Sequence, residues 1–249
     1  MGEDLNATTA RLGEYRARDG AAHPPALAPG YRTSVLRSPR LPPLALQQSL
    51  SEVTGPVFGP GLVRPLDADL LLNARVDRDP IGERIVVLGR VLDGDARPVP
   101  GALVEVWQAN AGGRYRHARD RYVAALDPNF AGCGRTLSGA DGGYRFRTVK
   151  PGPYPWRNGP NDWRPAHIHL SVFGRSLAQR LVTQLYFEGD PLLRHDRILG
   201  SIADPAARDR LVARLDLGET VPLDAIAYRF DVVLRGRRQT PFENRPEGA

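Results

Sequence analysis

Lysine, cysteine and methionine are nearly missing from this 249-residue sequence, which has Lys150 as its sole lysine, Cys133 as its sole cysteine and a single methionine. One cysteine excludes an internal disulfide and agrees with a reducing compartment, and the expectation for it is a small buried thiol. No apolar run reaches the roughly eighteen residues that a membrane helix needs. The opening MGEDLNATTARLGEYRARDG is charged and polar where a signal peptide requires an apolar stretch, so a soluble cytoplasmic protein without a membrane partner is expected. With lysine so scarce, arginine supplies nearly all of the 34 cations that stand against 28 acids, for a formal charge of +6. These arginines are scattered, and the densest run, RGRR at 235–238, is short. No basic face interleaved with aromatics results, so a nucleic-acid partner is not expected. Arginines meeting carboxylates inside an oligomer fit the skew better.

A chain of this length is near the upper end of what one hydrophobic core supports, and its 41% hydrophobic content suits one domain with an appendage. The appendage is residues 1–60. It holds a helical candidate at 5–18 and then a proline-rich stretch, HPPALAPGYRTSVLRSPRLPP, that cannot build a core of its own. Tyr31, Val35 and Leu36 lie among those prolines, which reads as an extended arm lying across another surface of this chain or of a partner. The rest, 61–249, is the folded domain. From about residue 80 short period-two stretches separated by turn residues predict an all-β fold, with strands at 84–92, 102–107, 144–149, 167–173, 181–187 and 227–234. Repetition of short strands predicts a sandwich. A helix is expected at 204–215, where Asp204 caps, Pro205 occupies the first turn and Ala207, Leu211, Val212 and Leu215 recur at helical spacing.

Within RPAHIHLSVFG, His167 and His169 are two apart, so on a strand both imidazoles leave one face while Ile168, Leu170 and Val172 leave the other. Two nitrogens are thereby offered to one metal, although hydrogen bonding in a half-buried sheet would account for the pair equally well. A cupin-like site would need a glutamate after three or four intervening residues, and Phe173 and Gly174 stand there instead. A ferrous two-histidine-one-carboxylate site would have to recruit Asp162, Glu188 or Asp190, each more simply a solvated or capping carboxylate. Three-histidine zinc would require His23, His117 or His195, all in polar or proline-rich surroundings. Tyrosine is the remaining donor type. Tyr154 sits between two prolines in PGPYPW, which restrict its backbone and the freedom of its phenol, although such a residue also suits packing against a sheet. Tyr115 in GGRYRHARDRY is a further candidate, and position alone does not separate it from Tyr122.

The segments GRYRHARDRY, LDPNFAG, DGGYRFRTVKPGPYPW, NGPNDWRPAHIH and TQLYFEGDPL, in this order, closely resemble the intradiol ring-cleaving dioxygenases, and within that family the iron-binding beta-type chains of its protocatechuate-cleaving branch. The similarity runs over about residues 23–244. PGYRTSVLRSP also looks like the start of those chains and unlike the helical linker domain of catechol or hydroxyquinol enzymes. The resemblance implies a prealbumin-like β-sandwich with an N-terminal arm at subunit contacts and few short helices, residues 61–249 forming the catalytic domain. It implies one Fe(III) per chain held by Tyr115, Tyr154, His167 and His169. Arg164 matches the arginine that stabilises charge developing on the substrate, Gln184 matches its pocket neighbour, and Tyr31, Trp107, Trp156 and Ile198 match residues near the substrate. Tyr154 also corresponds to the tyrosinate that substrate displaces.

Implied with these residues are cleavage of protocatechuate by O2 to 3-carboxy-cis,cis-muconate and a homologous alpha chain in a hetero-oligomer. Two phenolates are hard anionic donors that favour ferric over ferrous iron, and coordination to a trivalent cation removes phenol protons that otherwise leave near pH 10. Guanidinium stays protonated, so Arg164 acts by electrostatics and not as a base. Two other readings compete. One is an intradiol enzyme for catechol, hydroxyquinol or a substituted diol. The other is a non-enzymatic prealbumin-like binding module, whose strand pattern GRVLDGDARPVPGALVEVW would be shared but which has no use for paired histidines and two placed tyrosines.

Overall fold

The computed structural model describes residues 24, 28–32, 35, 60–157, 159–174 and 180–241. The helical candidate at 5–18 and most of the proline-rich arm lie outside them. Strands β1 (Arg84–Leu92), β2 (Leu103–Gln108), β3 (Cys133–Leu137), β4 (Gly143–Val149), β7 (His167–Phe173), β8 (Arg180–Phe187), β9 (Val212–Leu215), β10 (Ile226–Arg229) and β11 (Val232–Val233) join in one continuous sheet, and β5 (Tyr154–Pro155) pairs only with β6 (Trp163–Arg164). Two short helices, α1 (Arg197–Gly200) and α2 (Pro205–Asp209), follow β8. The all-β sandwich expectation therefore holds.

One half of the sheet is built on β4, β1 and β10 and the other on β3, β2, β7 and β8, with β9 antiparallel to β10 and parallel to β8 between them. Alternation along the strands decides which side chains meet. Ile85 and Val87 of β1, Val104 and Val106 of β2, Phe146 of β4, and Ile168, Leu170 and Val172 of β7 share one core. Each such fully buried aliphatic side chain contributes on the order of 1.5–3 kcal/mol through removal from water. The opposite face of β7 and β8 is left for other uses. Part of it is covered by a smaller cluster in which Tyr186 packs with Leu199, Ile202, Ala207 and Leu211 beneath α1 and α2.

Three local expectations need correction. The helix expected over 204–215 ends at Asp209, although Asp204 does cap it by accepting the Ala206 N–H. Residues Val212–Leu215 are instead β9, because two open strand edges, β8 and β10, supply hydrogen-bond partners that outweigh the helical spacing of apolar residues. The strand expected at 227–234 is broken into β10 and β11 near Phe230, whose carbonyl lies so close to Gly89 that a Cβ there would approach it to 1.8 Å. Finally, Cys133 is exposed, on β3, a strand of half-buried residues whose CGRTL shows no apolar alternation. No helix among the described residues is long and apolar enough to cross a membrane.

Candidate metal centre and substrate cleft

Register places the histidines. His169 stands between Trp107 of β2 and Gln184 of β8, and His167 stands opposite Tyr186, so these five side chains share the sheet face turned away from the main core. Trp107 stacks on His169 with ring centroids 5.0 Å apart and planes within 2°, which limits rotation of the imidazole. His167 is buried and its Nδ1 lies 2.7 Å from the carbonyl oxygen of Pro165. That carbonyl can only accept, so Nδ1 carries the proton and the Nε2 lone pair faces the site.

The tyrosines arrive on loops from elsewhere. Tyr154 opens β5 and is paired across the β5–β6 ribbon with Arg164, three residues before His167. Tyr115 follows a turn in which the Asn110 side-chain oxygen accepts the Gly112 and Arg114 N–H groups, and the Asp120 carboxylate accepts the Tyr115 N–H at 2.8 Å. Two glycines let these loops touch backbone to backbone. A Cβ on Gly113, which has φ of 79°, would lie 2.3 Å from the Pro153 carbonyl oxygen, and one on Gly152 would lie 2.3 Å from that of Ala111.

As a result the Tyr115 hydroxyl is 3.2 Å from His169 Nε2 and 3.4 Å from His167 Nε2, and the Tyr154 hydroxyl is 3.4 Å from His167 Nε2. These separations are long for hydrogen bonds. Donors about 2.0–2.1 Å from a shared small cation lie about 3.3 Å from one another in a tetrahedral array, and these three pairs have that spacing. The donor set therefore fits a metal ion. Tyr122 takes part only through its backbone, its N–H bonded to Asp120 and its carbonyl to Arg114, so the choice left open between Tyr115 and Tyr122 falls to Tyr115.

The competing ligand sets do not assemble. Among the described residues no three of His, Cys, Asp and Glu gather where they could hold a metal. Asp162 pairs with Arg197, Glu188 with Arg214, and Asp190 accepts the Ala166 and Leu192 N–H groups. His117 and His195 are exposed, and His23 lies outside the described residues.

Electrostatics show what the protein alone does to these groups. Burial pushes the Tyr115 phenol well above its ordinary range, with the Tyr154 phenol adding to the rise, and burial raises Tyr154 also. Burial and then the charge of Arg164 hold both imidazoles down, His169 to about 3. Before a cation binds, all four donors are thus neutral at pH 7. A highly charged ion reverses the phenol preference by stabilising the anion.

Arg164 is buried among three polar groups. Its Nε donates to Asp196 at 3.0 Å, and its Nη2 donates to the Tyr186 hydroxyl at 3.2 Å and to Gln184 Oε1. Burial opposes its charge, but Tyr186, Asp196 and Tyr154 more than offset this and hold the guanidinium protonated. Its carbon end lies 5.6 Å from the Trp156 ring, and Trp156 makes an edge contact with Tyr31 at 4.7 Å. Tyr31 and Asp196 line a cleft of about 940 Å³ that Trp163, Arg194 and Arg197 also border. Ile198 is half-buried on α1 and borders a small cavity with Gln184 and Tyr186. Nine of the ten expected site residues therefore lie around this centre or the cleft beside it, and the tenth, Ile198, borders the small cavity next to Gln184 and Tyr186. Asp196 and Tyr186 were missed. Period-two alternation from Gln184 would have put Tyr186 on the site face, whereas nothing local distinguishes Asp196 from an ordinary helix cap.

A family profile described as dioxygenase matches residues 53–236, and another described as protocatechuate 3,4-dioxygenase beta subunit N terminal matches residues 16–49. The protocatechuate 3,4-dioxygenase beta chain of Burkholderia cepacia is 53% identical over 226 residues, covering 91% of this chain and 96% of the relative. The chain belongs to the intradiol dioxygenase family. A second member, the protocatechuate 3,4-dioxygenase alpha chain of Pseudomonas putida, is 32% identical and covers 79% of this chain and 96% of its own. Among solved members, catechol 1,2-dioxygenase from Acinetobacter sp. ADP1 matches with a TM-score of 0.51 at 26% identity, over 70% of this chain and 60% of that one. Intradiol dioxygenases use non-haem iron, and hard oxygen donors beside imidazoles, without thiolate, are the donor chemistry that ferric iron prefers.

Proposed function

We propose that this chain is the iron-binding beta subunit of a protocatechuate 3,4-dioxygenase, with one Fe(III) held by Tyr115, Tyr154, His167 and His169. The observation that carries the reading is the convergence of two phenol oxygens on two imidazole nitrogens, at O···N separations of 3.2–3.4 Å, in a chain 53% identical to such a beta chain. Bound there, ferric iron supplies Lewis-acid activation of a chelated aromatic diol toward O2. The balanced reaction adds both atoms of O2 to one protocatechuate, breaks the bond between the two hydroxylated ring carbons and leaves 3-carboxy-cis,cis-muconate.

The chain's own residues divide the remaining work. With iron bound, the Tyr154 oxygen, half-buried beside His167, would be the group that takes a substrate hydroxyl proton. The permanent charge of Arg164, desolvated and fixed by Asp196, Gln184 and Tyr186, stabilises negative charge that builds up on the ring. Trp107 keeps His169 in one orientation, and Trp156 and Tyr31 form a wall for the aromatic plane. Tyr31 lies in the segment that matches the beta-subunit N-terminal profile, and its hydroxyl supports recognition of the carboxylate that distinguishes protocatechuate from catechol. An alpha chain completes the pocket in a hetero-oligomer, with residues 1–60 as the arm at the subunit contact. That same profile match favours protocatechuate over catechol or hydroxyquinol as substrate.

The test is oxygen uptake by the full chain, alone and with an alpha-type homologue, on protocatechuate, catechol and hydroxyquinol, with product identification. One O2 consumed per protocatechuate, the carboxymuconate as product and a reddish tyrosinate-to-iron absorption band are expected. A colourless protein carrying stoichiometric zinc overturns the proposal.

A further inference from the structure

We infer that Asp196 is a positioning residue for Arg164, acting through two acceptor oxygens that serve two different clients. The inference rests on the dioxygenase reading of the site. The Asp196 side chain is completely buried. Its Oδ2 accepts from Arg164 Nε at 3.0 Å, and its Oδ1 accepts the N–H groups of Ile198 at 2.7 Å and Leu199 at 3.3 Å. It is thus the N-cap of α1 on one side and the counter-charge of the guanidinium on the other. A helix of one turn needs no buried carboxylate for its cap, since a neutral Asn or Ser serves as well. The requirement for Asp comes from the second client: only a carboxylate offers acceptors in both directions.

Among the described residues Asp196 is the acceptor for Arg164 Nε. Tyr186 and Gln184 both address Nη2, and the Tyr186 hydroxyl in turn donates to Gln184 Oε1 at 3.2 Å. A fork held at one nitrogen can swing, whereas a fork held at Nε and Nη2 has its plane fixed over Trp156. Position and charge are therefore supplied by different residues. Asp196 fixes where the charge sits, and Arg164 supplies the charge.

Asp196→Asn tests this. An amide has a single acceptor oxygen, so either the helix N–H groups keep it and an NH2 faces the Arg164 Nε–H, or the reverse. The expected result is a fall in kcat of about a hundredfold, the scale of a roughly 1 Å misplacement, with KM changed by less than about threefold. Iron content, the visible band and anaerobic optical binding of protocatechuate should remain those of the parent. In an Arg164→Gln background the same substitution should reduce kcat no further, because its effect passes through the guanidinium. Tyr186→Phe, which removes one Nη2 partner and leaves α1 intact, should give a smaller fall of about tenfold and be equally silent in the Arg164→Gln background. The inference is overturned if Asp196→Asn keeps full kcat, if its loss persists in the Arg164→Gln background, or if iron is lost with the activity and Tyr186→Phe is silent in the parent. A parent protein inactive on every diol overturns the dioxygenase reading instead, and the two failures are thereby distinguished.

Discussion

The two histidines and the two tyrosines of the centre are held in unlike ways. His167 and His169 are neighbours on one central strand, flanked on both sides by β2 and β8 and backed by Ile168, Leu170 and Val172 in the core. Their spacing follows from the pleat alone. Tyr115 sits on a loop and Tyr154 opens the two-residue strand β5, 39 positions apart in the chain, and their hydroxyls meet the imidazoles because Gly113 and Gly152 allow the two backbones leading to them into contact. One half of the site is thus set by secondary structure and the other by tertiary fit. In the proposed iron site, a rigid strand pair suits ligands that would stay, and a less constrained segment suits one that substrate would displace.

The largest effect that sharpens this contrast comes from the strand. His169→Ala leaves β7 in place, since its neighbours Ile168 and Leu170 still fill the core, but removes one of the two nitrogen donors on this face. Iron affinity should fall by more than the roughly 10- to 100-fold that loss of an outer partner costs, with colour and activity gone and the fold retained by circular dichroism. Metal analysis after dialysis checks it, and retention of full iron would remove His169 from the ligand set.

On the loop side, Gly113→Ala changes no ligand. The methyl group meets the Pro153 carbonyl at 2.3 Å and the residue is held at φ of 79°. Backbone strain of this kind costs about 1–3 kcal/mol. The Tyr115 loop should move away from Tyr154, so that the charge-transfer band shifts and weakens and kcat falls about tenfold while the two histidines still retain metal. An unaltered spectrum would mean that loop contact does not set the tyrosine positions.

What could be read from the sequence follows the same divide. β7 was legible because alternation in HIHLSVF is a local property, and the face it assigned to the histidines is the face they occupy. β9 was misread as helix because its apolar spacing is helical while its hydrogen-bond partners, β8 and β10, are distant in sequence. Cys133 was misjudged because residue type predicts burial only on average, and β3 lies with that position open to solvent. The tyrosines proposed as ligands could be picked out only through family resemblance, since no rule of spacing selects Tyr115. Asp196 escaped because its partner, Arg164, is 32 residues away and a lone Asp before a helical turn is so often a cap.

The smallest expected effect tests the finest distinction on the loop. Tyr122 is seven residues from Tyr115, in the same arginine-rich segment, and it shares Asp120 with it: one carboxylate accepts both backbone N–H groups at 2.8 Å. The Arg114 guanidinium closes the same turn on the Tyr122 and Ala124 carbonyls. All of these bonds use Tyr122 as backbone, and its ring makes no contact with the histidines among the described residues. Tyr122→Phe should therefore leave iron content, the visible band and kcat within about twofold of the parent, the ordinary range for a change that removes no buried contact. Tyr115→Phe, which removes one hydroxyl from a tyrosine of the same segment, should shift and weaken the visible band, because Tyr154 alone then supplies a phenolate. Equal loss in both variants would mean that the segment acts through its folded shape and not through one phenol oxygen.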